Sequence, residues 1–475
     1  MLATTVLLSA CATEVSSSDA DQVSMSNGGL LRRRTTTTKA PTTTMRPTTT
    51  ATPPTAPTTL PLAPPATVPA TTTSTTTIPV PSSGSGGVGG HDPARCAALT
   101  SAGLSSNRFY DDNAVWNIPA SCYRTAVDST RWSDNWFLYS NRSAALGNVA
   151  ERGAMSIGLL EYGPAIYRAD EATTTIRVFS SAYANNLWGV PEVPWNPSWV
   201  PSPGNDHEIV ILDTATGREW SLWLVQKDNW SACITWENFF AGFRGGVDLC
   251  VGQAMIGRNT DGSISDFRTA SGISQWPGRG LGAVTPMVLI PRLDEIEAGS
   301  IDHALNNEAY NTMFGGACTA AQMGTAAAGR SCGYAIAPAS RFEGLLGPEG
   351  ACGWAKMEAT DAVRSTTVPQ GTRFSLQLTD SEIDSWLTSR GYTGAKRRTA
   401  RIFAVALRDY GWIVSDTTCW DSNMSAEGMA NPAAAKRWAA LGIAPSDGST
   451  LLDGLIRQDR IRTLEPPTNA VVTNL

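Results

Sequence analysis

The chain has three histidines, each next to an acidic residue; His91 stands at the hinge boundary, and the other two are in Asp206-His207-Glu208 and in Asp302-His303. An imidazole can give or take a proton near neutral pH once a carboxylate or carbonyl fixes its tautomer. Two such rings across one cleft could act as acid and base, or hold one metal with a carboxylate. Each could equally be a satisfied structural residue. A three-histidine zinc site would have to recruit His91 and is discounted. Asp416 closes a predicted strand and could orient one of the rings, although a turn or cap role would explain it as well. The candidate catalytic set is therefore His207, His303, Asp206, Asp302 and Asp416, with no resident metal or cofactor assigned. Glycoside hydrolysis needs a pair of carboxylates, but the 39 acidic residues after position 90 single out none. Gly329-Arg330-Ser331-Cys332-Gly333 fits G-x-S-x-G, yet no strand precedes it and its cysteine is expected to tie a loop. Gly84-x-Gly86-x-x-Gly89 lies in a hinge with no strand before it, and is a chance match to a dinucleotide pattern.

Seven of the sixteen tryptophans fall between positions 188 and 236, with Pro191, Pro194, Pro197, Pro201 and Pro203 interleaved. Proline at this density makes residues 189–204 a stiff loop. Indoles on a stiff loop suit stacking on sugar rings, because little freedom is lost on binding. Trp188, Trp195, Trp199, Trp223 and Trp230 are the candidate substrate-binding residues. The competing reading is that these rings cover the core.

The elements that must position these groups are mainly β. Residues 205–225 read as a hairpin: a β-branched, alternating run at 208–212, a turn ending on Gly217, and a second alternating run at 218–225. If residues 206 and 207 lie on the strand, their side chains point to opposite faces, and His207 shares a face with Asn205 and Ile209 rather than with Asp206. Residues 172–179 alternate as a strand, and 132–139 and 158–167 read as short strands or extended loops. Helices are expected at 292–298, ended by Gly299, at 379–389 behind overlapping capping boxes, and at 394–410, ended by Gly411. The last has a basic start that its own dipole disfavours, so partners elsewhere are expected. Residues 432–441 and 450–456 are helical or partly so.

The opening segment, residues 1–11, MLATTVLLSAC, resembles a bacterial lipoprotein signal with Leu8-Ser9-Ala10-Cys11 as its lipobox and Cys11 as the lipidated residue. It lacks a basic leading region, so a few upstream residues are expected. A plain signal peptide is the alternative, and both place the mature protein outside the cytoplasm. Residues 35–80 contain 21 Thr and 10 Pro with only two charges. Such a segment cannot bury a core, and extended it reaches ~140 Å at about 3.1 Å per residue. Residues 12–90 are read as a disordered stalk and 91–475 as the globular domain. After position 90 there are 31 basic and 39 acidic residues, a balance of −8 with no basic cluster. That excludes nucleic-acid binding and any capture of anionic polymers by bulk charge. Eight cysteines remain beyond Cys11, and an even number in an exported chain implies disulfides. Proximity suggests Cys96–Cys122, Cys233–Cys250, Cys318–Cys332 and Cys352–Cys419.

Three segments together, the Asp206-His207 hairpin, LDEIEAGSIDHAL at 293–305 and ALRDYGWIVSD at 406–416, resemble a loosely described group of secreted bacterial proteins, often with sugar-binding modules or stalks attached. The similarity covers most of residues 110–460. It brings no catalytic assignment, but implies that His207, His303 and Asp416 face one site. The expectation is an antiparallel β-sandwich or jelly roll with a few peripheral helices. The expected function is an anchored extracellular enzyme, hydrolase or lyase, acting on a polysaccharide or cell-wall glycan. A non-catalytic glycan-binding or adhesion lipoprotein is the alternative. The membrane would be met only through the lipid.

Overall fold

Thirteen short strands, numbered along the chain, form three sheets in the computed structural model, which describes residues 109–110, 114–182, 192–227, 229–257, 263–269, 288–323, 325–339, 341–342, 352–356 and 360–466. All lie within one compact unit, Thr75–Leu475. The lipobox, the stalk at 12–90, Cys96 and Trp188 fall outside the described residues.

The largest sheet runs in the order β1 (Ser156–Gly158), β12 (Asn423–Ser425), β9 (Leu305–Ala309), β11 (Trp412–Thr417), β10 (Arg373–Leu376), β13 (Ile461–Thr463). A second is β2 (Ala165–Arg168), β5 (Ile209–Asp213), β6 (Arg218–Trp223), β8 (Gln253–Ile256). A third is β4 (Glu192–Trp195), β3 (Thr174–Ser180), β7 (Leu249–Val251). The fold is mainly β with peripheral helices, as expected. The sheets are mixed: β1/β12, β9/β11, β2/β5 and β3/β7 pair in parallel, and the other pairings are antiparallel.

The hairpin forms as predicted, with β5 and β6 in register from Ile209↔Leu222 to Asp213↔Arg218. Asp213 accepts the amides of Ala215 and Thr216, and Gly217 supplies the left-handed residue that closes the turn. Its first strand is apolar from Ile209 to Leu212 rather than alternating because both of its faces are covered. Ile209 and Ile211 pack with Trp195, Trp199 and Trp220, while Val210 and Leu212 pack with Trp116 and Ile413.

The large sheet packs against α1 (Ser129–Tyr139), α6 (Asp380–Ser389), α7 (Gly394–Asp409) and α8 (Pro432–Ala440), with Trp136, Phe374 and Trp412 in mutual ring contact at its centre. Residues 132–139 are thus helical, against the extended reading. Trp132 and Trp136 are one helical turn apart, and both are buried. Helices α6 and α7 form where expected. The basic start of α7 finds its partners: Lys396 pairs with Asp447, Arg397 with Asp384, and Arg401 with Asp380 and Asp384. Gly411 ends α7 at φ +74°, and a Cβ there would sit 1.8 Å from the Phe374 carbonyl oxygen. Gly411→Ala is therefore expected to cost at least about 2 kcal/mol, from the left-handed backbone and the collision together. The urea midpoint reads this, and a shift under a few tenths of a kcal/mol would contradict it.

Cys233–Cys250, Cys318–Cys332 and Cys352–Cys419 are bonded as proximity suggested, and Cys122 is also in a disulfide. Such bonds persist in an oxidising, extracellular setting. Among the described residues no helix is long and apolar enough to cross a membrane.

Candidate active site

Strand β5 begins at Ile209, so Asp206 and His207 both precede it, and strand alternation does not govern where they point. His207 has φ +42° and Leu224, facing it, φ +50°. The Asp206 carbonyl accepts the Leu224 amide at 2.8 Å, and the His207 carbonyl accepts the Val225 amide at 3.0 Å. Two non-glycine residues in the left-handed region are held by this pair of bonds, a conformation that concentrates at functional sites. His207 is exposed and lines a cleft of about 860 Å³, with Pro201, Pro203, Leu224, Lys227 and Asn229 around it. Lys227 is spent on the cleft wall: its ammonium donates to the carbonyls of Pro197 and Trp199 at 2.6 and 2.8 Å. Among the described residues the His207 ring has no hydrogen-bond partner, so no carboxylate fixes its tautomer.

His303 sits differently, at 3 % exposure. Its Nδ1 faces the Ala304 carbonyl at 2.8 Å, and its Nε2 faces Glu295 Oε2 at 3.3 Å. Glu295 is itself buried and paired with Arg292 at 2.5 Å. This imidazole braces α4 (Leu293–Ala298) against the start of β9, and no hydrogen bond or ion pair joins it to His207. The expectation that it flanks an open cleft is corrected by its burial. Asp302 accepts the Ser300 hydroxyl at 3.0 Å, a local turn contact, and the carboxylate on the His303 ring is that of Glu295.

The tryptophans divide by burial. Trp195 and Trp199 are in the core, Trp199 stacked on Tyr167 at 4.7 Å, so their faces are taken by protein and cannot meet a sugar. The prolines of this loop hold core indoles in place. Trp223 is half-buried and uses its indole N–H on Asp206 Oδ1 at 3.0 Å. Trp230 is 41 % exposed and lies over Gly245. The most open aromatics were not singled out from sequence: Trp236 at 76 % and Phe240 at 80 %, ring centroids 6.1 Å apart, on α3 (Trp236–Phe240). Thr235 caps this short helix, and the Cys233–Cys250 disulfide pins its base.

Asp206 is not among the residues that line the cleft, and its charge acts on Tyr162. The Tyr162 hydroxyl is pushed up to about 12, first by burial and then by the charges of Glu161, Asp206 and Glu308, with Glu161 also within hydrogen-bonding reach. The loop before Asp206 lies against Glu161, since a side chain at Gly204 would meet Glu161 Cγ at 2.1 Å. Glu308 comes from β9 and accepts the Ser425 hydroxyl at 2.9 Å. In register it lies beside Asp416 of β11 on one side and Asn423 of β12 on the other. The β9/β11 pairing shifts between Val414 and Asp416, and Asp416 accepts the amide of Thr417. Of the predicted residues, Asp206 acts with Glu161 and Glu308 on the Tyr162 hydroxyl through its charge, Asp416 lies beside Glu308 in register, and His207 lines the cleft. The missed signal is β9 itself: Leu-Asn-Asn-Glu-Ala is polar yet largely buried, which is rare for a strand without a task.

Among the described residues no three His, Cys, Asp or Glu side chains are placed to hold a metal ion. No protein-family model, curated protein or solved structure matches this chain.

Proposed function

We propose that this is an exported, lipid-anchored enzyme that cleaves a polysaccharide by carboxylate acid–base chemistry. The observation that supports it best is the left-handed His207–Leu224 pair, which sets Asp206 next to a cleft of about 860 Å³, while the charges of Asp206, Glu161 and Glu308 act on the Tyr162 hydroxyl. Paired carboxyl groups are what glycosidic bond cleavage requires, and a neutral phenol among them can donate a hydrogen bond to a sugar oxygen. Cys11 would take the lipid, and the Thr/Pro stalk would let the domain range over a wall polymer. Incubation of the full chain with a broad set of polysaccharides, followed by assay for new chain ends, tests the reading. Cleavage lost in Asp206→Asn supports it. No cleavage of any polymer at any pH removes it.

The exposed rings of α3 also favour a binding role that does not need catalysis. Trp236, Phe239 and Phe240 stand on a pinned, capped turn and are open to solvent. Trp236→Ala is expected to weaken retention on polymer about tenfold, roughly 1.4 kcal/mol, in line with the loss of one stacking face. Co-sedimentation with insoluble glycan measures it, and unchanged retention would remove Trp236 from the binding face.

A further inference from the structure

Resting on the binding reading of the exposed rings, we infer that α3 is a platform for the flat face of a solid, uncharged polymer of equatorial pyranoses, a β-glucan or chitin, and that this platform adjoins the His207 cleft. A helix turns by roughly 100° per residue, so the five residues of α3 divide by direction. Asn238 faces inward, where its Nδ2 donates to the carbonyls of Ser180 and Cys233 at 2.9 and 3.1 Å. Trp236 and Phe240 lie on the opposite side and point out, with their ring planes 26° apart. Phe239 flanks the pair on one side and Glu237 on the other, both exposed. The base is fixed. Thr235 caps the helix, the Cys233–Cys250 disulfide ties it to β7, and Arg177 of β3 holds both the Gly242 carbonyl and Asp248. A ligand that settles on such a base freezes little that was free.

Charge selects the occupant. The rings present electron-rich faces, and the Glu237 carboxylate beside them has no hydrogen bond or ion pair among the described residues. Such a surface takes C–H groups on its rings and O–H groups on its carboxylate, and a pyranose edged with hydroxyls offers both. Only equatorial substituents keep those hydroxyls off the faces that stack. An anionic bilayer leaflet offers neither kind of group, and it repels a domain with a balance of −8 after position 90. A second copy of the chain, docked about a twofold axis through the rings, would set Glu237 against its own mate.

Shape selects the form of the polymer. Trp236 and Phe240 stand clear of the surface and line no groove, so they meet a plane of packed chains better than one chain in solution. Trp230 extends the platform toward the cleft. It is exposed and lies over Gly245, and its neighbour in the chain, Asn229, lines the cleft. A strand lifted from the solid past Trp230 meets the cleft next.

The test uses the full chain carrying Cys11→Ser, so that no lipid draws it to membranes. It is sedimented with microcrystalline cellulose and with chitin, run by affinity electrophoresis through hydroxyethyl cellulose and glycol chitin, and sedimented with vesicles of phosphatidylglycerol and phosphatidylcholine. The expected result is retention on at least one of the two solids, undiminished by high salt, with no binding to vesicles. Phe240→Ala should lower that retention about tenfold, as the loss of one stacking face does. Trp236→Ala and Phe240→Ala together should abolish it, while Trp420→Ala, an exposed indole outside α3, should leave it unchanged. All these side chains are exposed, so the melting curves should stay in place. Retention that survives the double substitution, or binding to the soluble chains alone, would overturn this inference and leave glycan binding standing. Vesicle binding or dimer formation that the double substitution removes would overturn it in favour of a bilayer or a second copy. No binding to any of the polymers, with the chain folded, would overturn both this inference and the binding reading.

Discussion

Asp206→Asn is expected to lower polymer cleavage by about 10²–10⁴-fold, the range set by loss of a positioned general base. The substitution is nearly isosteric, and the carboxamide oxygen it introduces can still accept the Trp223 indole N–H, whose bond to Asp206 is 3.0 Å in the native protein. The paired amides of Leu224 and Val225 bind backbone carbonyls and are untouched. Folding should therefore survive, and the loss should fall on kcat rather than on KM. His207→Ala is the informative contrast. That ring lines the cleft but has no partner to fix its tautomer, so its removal should act mainly on KM and by less than Asp206→Asn. Initial rates over a range of polymer concentrations, with a thermal melt for each variant, check both. Should Asp206→Asn retain activity within a few-fold of wild type, the carboxylate mechanism fails.

What could be seen in the sequence, and what could not, follows the range of the interactions. The hairpin turn at Asp213–Gly217, the Thr379–Glu382 capping box and the Gly411 terminator are decided within a few residues, and they stand where the pattern puts them. The three disulfides that proximity paired close short or moderate loops. Asp206 and Asp416 stand out for their chemistry at strand ends; Asp416 lies beside Glu308 in register, and the charges of Asp206 and Glu308 both act on the Tyr162 hydroxyl. Tyr162 and Glu308 were missed because their meeting depends on how β1, β9, β11 and β12 line up, pairings that span well over a hundred positions. Trp195 and Trp199 were misjudged for the same reason. Proline in a loop says the chain is stiff there, but not whether a third sheet and one face of β5 close over it. His303 shows the limit of reasoning from scarcity. A rare imidazole beside Asp302 looks functional, yet the carboxylate it meets is Glu295, eight residues back, inside a buried bridge.

That bridge is where the largest stability effects are expected. Arg292, Glu295 and His303 are each at most about a twentieth exposed, and both Glu295 oxygens meet cationic or imidazole nitrogens. Glu295→Ala would strand the Arg292 guanidinium in the interior, and removing one member of such a pair costs about 3–5 kcal/mol. Burial by itself would raise the Glu295 carboxyl, but Arg292 and His303 outweigh it and hold the group at about 2. Its folded value is thus below its unfolded one, so its stabilisation is present above about pH 4.5 and is lost as pH falls toward 2. Glu219 and Glu427 work in the opposite sense. Burial pushes them up to about 8 and about 7, and one Glu219 oxygen has no hydrogen-bond partner. Both bind a proton more tightly folded than unfolded, so their contribution is complete below about pH 4.5 and is lost as pH rises through 7 and 8. The urea midpoint should therefore peak in mildly acid buffer and fall on both sides. Glu219→Gln, a neutral side chain of the same shape, should make the alkaline limb shallower and leave the part due to Glu427, and Glu295→Gln should flatten the acid limb. A midpoint that climbs steadily from pH 5 to pH 9 in the native chain would show that these buried carboxyl groups do not govern the profile.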